Sequence, residues 1–186
     1  MDRNVTPNIP QPVGWLACGP GVSGYARPMI SAGVLTVSDR SAAGTRPDAA
    51  GPIAVAALRE AGFDCAPPRI VADGADRVAA ALRAMLADGL RLIVTTGGTG
   101  VGPRDATPEG TARVLQRQLP GIADELRRRG LANTPMAMLS RGIAGVVEDA
   151  LVVNLPGSPK AVAEGMPVVT AVAGHVLSQL SGEDHR

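Results

Sequence analysis

One segment of the sequence, residues 95–109, combines residue types that suit the binding of phosphate groups. It places four glycines within six positions and follows them with Arg104, Asp105 and the start of a predicted helix. Glycine lets backbone N–H groups approach an anion closely, and a helix N-terminus adds partial positive charge. Pro103 stands where a Walker A loop needs lysine and a dinucleotide-binding fingerprint needs glycine. We therefore predict a nonstandard phosphate cradle, with a flexible glycine turn as the alternative.

Two aspartates are candidates to hold a metal ion beside this cradle. A carboxylate at Asp105 repels phosphate unless a cation lies between them, and Mg²⁺ binds one or two carboxylates together with phosphate oxygens. Thr107 is expected to cap the next helix, so Asp105 is not needed there, although stabilisation of the helix dipole is its alternative role. Asp73 follows another predicted strand and has an Asx turn or a helix cap as its alternative.

A second possible anion contact is Lys160, which follows a strand, a glycine turn and a proline at the start of a helix. It is the single lysine among 18 basic residues, and a lysine ammonium is a compact charge that suits phosphate oxygens; chance placement is the alternative. Ser140 and Arg141 offer a hydroxyl and a guanidinium. Asp39 and Asp48 lie in a predicted surface loop, where Asp48 is expected to cap the following helix.

The elements that must position these residues alternate between strands and helices. Such alternation predicts an α/β fold with a parallel sheet covered on both faces, and ligands in such sheets lie beyond the carboxyl ends of the strands. The loops after Ser38, Ala72, Thr96 and Leu155 are therefore the expected site. Apolar runs predict strands over 33–38, 69–72, 92–96 and 151–155, and helical periodicity predicts helices over 52–61, 76–87, 120–129 and 168–180, with further helix starts at 107 and 159.

Composition excludes several classes of protein. The chain has 186 residues, 45% of them hydrophobic, a net charge of +1 and a pI near 7.9, which fits one globular domain and not a dedicated nucleic-acid binder. Two cysteines cannot form a disulfide framework, and no apolar run approaches the ~18 residues of a membrane span. Residues 1–28, rich in proline and glycine, are predicted to be a disordered tail before a domain over 29–186, with Met29 a conceivable start.

Five motifs occur in the order of a known family: TVSDR (36–40), a G-x-x-x-D-x-x-G-P pattern (44–52), TTGGTG followed by RDATPE (95–109), LSRG (139–142) and NLPGSPKAV (154–162). Together they resemble the molybdopterin adenylyltransferase family, of the MogA and gephyrin G-domain type. The resemblance covers about residues 30–180. The glycine-loop block also occurs in the MoeA, MoaB and CinA-like branches of the molybdopterin-binding fold.

The resemblance implies a three-layer α/β/α sandwich with a mostly parallel sheet, a homotrimer and a cytoplasmic enzyme. It implies that the terminal phosphate of molybdopterin attacks the α-phosphate of ATP with Mg²⁺ present, and that a MoeA-type molybdate-insertion protein is a partner. Asp73 and Asp105 match the two catalytic and metal-binding aspartates. The matched substrate-binding residues are Ser38, Thr96, Gly97, Gly98, Thr99, Gly100, Arg104, Ser140, Arg141, Pro156, Gly157, Ser158 and Lys160.

Two other functions stay open. One is a non-catalytic, MoaB-like molybdopterin-binding or scaffolding protein, against which the Arg104–Asp105 pair argues because MoaB-type relatives often lack it. The other is a nucleotide-binding module unrelated to pterins.

Overall fold

The computed structural model describes residues 29–182, so the predicted tail and residues 183–186 lie outside the described part of the chain. Seven strands within the described residues form a single sheet. They are β1 (Ser31–Val37), β2 (Asp64–Cys65), β3 (Arg69–Val71), β4 (Leu92–Thr96), β5 (Arg117–Gln118), β6 (Ala144–Val147) and β7 (Ala150–Leu155).

The strand order is β2-β1-β4-β7-β6-β5, and β3 pairs with β1 farther along that strand than β2 does. The pairs β1–β4 and β4–β7 at the centre are parallel, whereas β6 is antiparallel to both β5 and β7. The mostly parallel sheet confirms the predicted fold class. The sequence did not predict β6, because a four-residue Ala-Gly-Val-Val run carries little strand signal.

Helices cover both faces of the sheet and connect most of its strands. The sheet and helix bounds predicted from the sequence agree with the structure to within a few residues for most elements. The helices are α1 (Asp39–Ala42), α2 (Gly51–Glu60), α3 (Ala75–Ala87), α4 (Thr107–Ala112), α5 (Pro120–Leu131) and α6 (Pro159–Leu180), with a 3₁₀ helix at Pro135–Leu139.

The central strands are apolar on both faces because each face is covered by helices. In β4, Leu92 and Val94 belong to a core shared with α2 and α6, and Ile93 belongs to a second core shared with α3. All three side chains are fully buried. The arrangement is the expected three-layer sandwich. Because both faces of the sheet are covered, a ligand can reach it only at the loops that follow the strands.

One continuous helix, α6, replaces the two helical segments expected from the sequence. Ser158 caps it as predicted, since its Oγ accepts the N–H of Ala161 at 3.1 Å, and Pro167 lies inside it. By length and composition α6 is apolar enough to cross a membrane, with a mean hydropathy of 1.3, so the expectation that no run approaches a span does not hold by this measure. Core helices meet the same test, and α6 packs against α2, α5 and β7.

A buried polar network joins the sheet to α4, the helix that follows the glycine-rich segment. The Asn154 side chain is 2% exposed, and its Nδ2 donates to the hydroxyls of Thr95 at 2.9 Å and Thr111 at 3.0 Å. Its Oδ1 accepts the N–H of Ile143 at 3.2 Å. The network therefore fixes α4 against β4 and β7 beneath the predicted site.

The substitution Asn154→Ala should lower the free energy of unfolding by about 1–3 kcal/mol, because it removes the donor to the buried Thr95 and Thr111 hydroxyls and the acceptor of the half-buried Ile143 N–H. Urea unfolding measures this loss. The exposed Asn133→Ala is the control and should change stability by less than ~0.5 kcal/mol. Equal effects of the two substitutions would show that the network does not hold the sheet to α4.

Candidate functional site

The four loops expected from the topology meet at the carboxyl edge of the sheet. The Thr96 hydroxyl at the end of β4 donates to the Pro156 carbonyl after β7 at 2.9 Å. The Ser38 N–H after β1 donates to the Val71 carbonyl at the end of β3 at 2.9 Å. These contacts bring residues from distant parts of the sequence into one site.

The glycine loop, defined as residues 97–106 between β4 and α4, requires glycine at its first two positions. Gly97 has φ +101°, and a Cβ there would lie 2.2 Å from the Val37 carbonyl oxygen. Gly98 has φ +63°, and a Cβ there would lie 2.3 Å from the Thr107 hydroxyl oxygen. L side chains rarely adopt such backbone conformations. The loop therefore passes directly against the end of β1.

Thr107 closes the far end of the glycine loop, and the prediction that it caps α4 was wrong. The helix begins at Thr107 itself, and its N-cap residue, Ala106, makes no side-chain cap. The buried Thr107 hydroxyl donates instead to the Gly97 carbonyl at 2.8 Å, and its N–H donates to the Gly98 carbonyl at 3.0 Å. Both ends of the loop are thus fixed.

Asp105 folds back onto the glycine loop. Its Oδ2 accepts the Gly102 N–H at 2.9 Å, and its own N–H donates to the Gly102 carbonyl at 3.0 Å. A Cβ at Gly100 or at Gly102 would lie 2.8 Å from the same carboxylate oxygen. The later glycines therefore make room for this half-buried carboxylate.

Asp73 and Asp39 bind each other's backbone, which joins the loops after β3 and β1. Asp73 Oδ2 accepts the Asp39 N–H at 2.8 Å, and Asp39 Oδ1 accepts the Asp73 N–H at 3.1 Å. Asp73 therefore lies at the start of α1 and does not cap α3, whose N-cap residue is Gly74. A Cβ at Gly98 would lie 3.2 Å from Asp73 Oδ1, so Asp73 borders the glycine loop.

Asp39 is a third carboxylate at this edge that the sequence analysis assigned to a surface loop. Arg104 pairs with it through Nε at 2.5 Å and Nη2 at 2.8 Å. The hydrogen bond from Arg104 lowers the pKa of the Asp39 carboxyl below its ordinary value. Asp39 lies two residues after the end of β1, just as Asp73 lies two residues after the end of β3. This shared position is the sequence signal that could have identified Asp39 as a site residue.

The carboxylates at this edge differ in how their charge is balanced. Asp39 has Arg104, and Asp48 accepts the Thr36 hydroxyl at 2.6 Å and two backbone N–H groups at the start of α2, close to its predicted capping role. Within residues 29–182, Asp73 and Asp105 form no ion pair with an arginine or a lysine. These two carboxylates are therefore held by backbone N–H groups and not by a basic side chain.

Two cavities flank the glycine loop and share Gly98, Asp105 and Gly157 in their walls. The aspartate cavity, about 370 Å³, is lined by Asp39, Asp48, Asp73 and Asp105. The apolar cavity, about 470 Å³, lies between α5, the 3₁₀ helix and the start of α6, where its walls include Leu126, Met136 and Leu139. Two ligands can therefore meet at the glycine loop.

Most of the predicted site residues line these cavities. Asp73 and Asp105 share the aspartate cavity, and Asp105 reaches the apolar one as well. The other predicted residues in the two walls are Ser38, Thr96, Gly97, Gly98, Thr99, Gly100, Ser140, Pro156, Gly157 and Ser158.

Three predicted phosphate contacts lie outside both cavities. Arg104 forms an ion pair with Asp39, and Arg141 donates to the Gly100 carbonyl in the glycine loop. The Lys160 side chain is 73% exposed, with its Nζ 3.9 Å from a Glu164 carboxylate oxygen. Both arginines are therefore held by groups of the protein itself. Lys160 is mostly exposed, so its side chain can adopt other rotamers.

The aspartate cavity fits a magnesium ion held jointly by protein and substrate. Within residues 29–182, no group of three or more histidine, cysteine, aspartate or glutamate side chains forms a complete metal cage. Mg²⁺ is commonly held by one or two carboxylates, with phosphate oxygens and water as its other ligands. Asp73 and Asp105 match that donor set.

The substitution Gly97→Ala should destabilise the protein more than Gly44→Ala. Both glycines have positive φ, which costs an L residue roughly 1–2 kcal/mol. A Cβ at Gly44 meets open space, whereas at Gly97 it meets the Val37 carbonyl, which should add about 1–3 kcal/mol. Denaturant unfolding of both variants measures the difference, and equal losses would refute the close approach of the loop to β1.

Comparison with known proteins places the chain in a family. The model of a probable molybdopterin binding domain matches residues 33–174. A molybdenum cofactor biosynthesis bifunctional protein of Synechococcus elongatus is 40% identical over 156 residues, which are 84% of this chain and 49% of that protein. The chain thus spans about half the length of that relative. A molybdopterin adenylyltransferase of Helicobacter pylori is 39% identical over 158 residues, with 82% and 89% covered.

Solved structures agree with these relatives. A structure of MogA has 45% identity and a TM-score of 0.78, covering 81% of this chain and 99% of that one. A molybdopterin biosynthesis enzyme MoaB from Thermus thermophilus has 42% identity and a TM-score of 0.77, covering 85% and 100%. The resemblance drawn from the five motifs is confirmed, and this chain belongs to the family of probable molybdopterin binding domains.

Proposed function

We propose that this chain is a molybdopterin adenylyltransferase, which transfers AMP from Mg-ATP to the terminal phosphate of molybdopterin. The observation that carries the proposal is the pair Asp73 and Asp105, two half-buried carboxylates without an ion pair in the described chain, in a cavity that meets a second cavity at Gly98. The name of the relative from Helicobacter pylori supports the same reaction.

The reaction forms one bond and breaks one bond. An oxygen of the molybdopterin phosphate attacks the α-phosphorus of ATP, and the bond from that phosphorus to the bridging oxygen breaks, so that its electron pair leaves with pyrophosphate. The attacking phosphate is already ionised and needs no base. Positioning and charge neutralisation therefore dominate the catalysis.

The glycine loop supplies the positioning. Among residues 29–182, no acceptor is found for the N–H groups of Gly98, Thr99 and Gly100. Backbone N–H groups of this kind in a glycine-rich loop form concave sites that bind phosphate oxygens. We assign these N–H groups, with Ser158 and Lys160 at the start of α6, to the phosphates of the substrates.

The two aspartates supply the site for the cation. Mg²⁺, when bound, neutralises the negative charge of the phosphates that are brought together. Asp73 and Asp105 would hold it in the aspartate cavity, and the hydrogen bonds to Asp39 and Gly102 keep both carboxylates in place.

A homotrimer, a MoeA-type partner and a cytoplasmic location belong to the same proposal, and they rest on the resemblance to the family.

The alternative is a MoaB-like protein that binds molybdopterin without adenylylating it. The similarity to the Thermus thermophilus MoaB structure, nearly as high as that to MogA, favours this alternative. Retention of the Arg104–Asp105 pair favours the enzyme.

The variants Asp73→Asn and Asp105→Asn should each remain folded and bind molybdopterin, yet lose ~10²–10³-fold in adenylyl transfer. Asparagine keeps the shape and one acceptor oxygen but removes the charge that holds the cation. Product formation at saturating Mg-ATP, beside a thermal melt, measures both effects. Asp88→Asn is the control, because Asp88 is an exposed aspartate paired with Arg69 away from the site. Near-normal turnover of both site variants would favour the binding protein.

A further inference from the structure

Arg141, predicted from the sequence to bind phosphate, donates three hydrogen bonds to carbonyl groups of the glycine loop. Its Nε donates to the Gly100 carbonyl at 2.7 Å, and its Nη2 donates to the Asp105 carbonyl at 2.6 Å. Its backbone N–H donates to the Thr99 carbonyl at 2.8 Å. One residue thus holds the glycine loop at three of its carbonyl groups.

These bonds tie the backbone of the loop to the rest of the protein over residues 99–105, where the Arg104 side chain adds an ion pair with Asp39. Among the described residues, the other backbone hydrogen bonds of residues 99–105 join Gly102 to Asp105 within the loop itself. Arg141 lies beyond α5 and the 3₁₀ helix, 41 positions from Gly100 along the chain. The placement of Asp105 therefore depends on a distant side chain.

Glu109 orients the Arg141 guanidinium from the other side. The third nitrogen, Nη1, forms an ion pair with the Glu109 carboxylate in the first turn of α4. Partial burial alone would raise the pKa of Glu109, but the hydrogen bond and the charge of Arg141, together with a backbone hydrogen bond, lower it. The guanidinium is thus held between α4 and the loop, with all three of its nitrogens bound to protein acceptors.

We propose that Arg141 is a positioning residue, which with Glu109 fixes the Asp105 carboxylate for the reaction by holding both ends of the arc from Gly100 to Asp105. It acts through the loop and does not touch the substrate phosphates. The planar fork of arginine matches two carbonyls and a carboxylate at once, whereas a lysine ammonium is a single compact charge. The proposal rests on the proposed function only for its effect on turnover.

The variant Arg141→Lys tests the proposal in the full chain. Hydrogen–deuterium exchange of the Gly102 and Asp105 amides, which are hydrogen-bonded within the loop, should become about tenfold faster or more, because the loop loses its side-chain anchors at Gly100 and Asp105. Turnover should fall by up to ~10²-fold, since small displacements of a catalytic group have effects of this size. Arg128→Lys is the matched control: Arg128 also makes a forked ion pair, with Glu125 on the exposed face of α5, and should leave both readouts unchanged.

A double-substitution cycle separates positioning from a purely structural role. If Arg141 acts through Asp105, Arg141→Lys should lower the residual turnover of the Asp105→Asn variant by less than about twofold, because coupled residues are non-additive. Direct phosphate binding predicts the opposite: unchanged exchange of the loop, a raised KM for a substrate, and effects that multiply with Asp105→Asn. That result would overturn the proposal.

The exchange measurement tests the anchoring of the loop independently of the proposed reaction. If the wild-type chain forms no adenylylated product, the proposed function fails, but faster exchange in Arg141→Lys still supports the anchoring of the loop and unchanged exchange overturns it. If Arg141→Lys does not fold, Glu109→Gln replaces it, since removing the charge that orients the guanidinium should also accelerate exchange of the Gly102 and Asp105 amides. Unchanged exchange in that variant would overturn the proposal.

Discussion

The close approach of the backbone at Gly97 to the end of β1 is the constraint on which the rest of the site depends. Only a residue without a Cβ fits beside the Val37 carbonyl, and the chain then turns sharply through Gly98. This turn places the loop amides and Asp105 at the carboxyl edge, between the two cavities. The Thr107 hydroxyl and the Arg141 guanidinium then fix the loop in this position by hydrogen bonds to the Gly97 and Gly100 carbonyls.

Charge is distributed at this edge in a way that distinguishes structural carboxylates from candidate catalytic ones. Asp39 and Glu109 are each paired with an arginine, and the pKa of each is lowered. Asp73 and Asp105 instead accept backbone N–H groups, which orient a carboxylate without cancelling its charge. Two such carboxylates facing one cavity favour a cation, and a cation there makes the approach of phosphate groups favourable.

The sequence predicted the parts of this account that depend on local patterns. The strand alternation, the glycine-rich turn and the cap at Ser158 follow from hydrophobic periodicity and turn chemistry, and the structure confirms them. It did not predict contacts between distant residues. The pair of Asp39 with Arg104 spans 65 positions, and the link from Arg141 to Gly100 spans 41. Thr107 was predicted to cap α4 because its local sequence fits a cap, but in the folded chain its hydroxyl donates to the Gly97 carbonyl.

The central claim is that Asp73 and Asp105 hold a cation between two substrates that react at the glycine loop. The most direct test is to incubate the full wild-type chain with molybdopterin and ATP, with and without Mg²⁺, and to identify the products by mass spectrometry. We expect adenylylated molybdopterin and pyrophosphate in equal amounts, formed only when Mg²⁺ is present. Molybdopterin that is bound but recovered unchanged in the presence of Mg-ATP would contradict the account.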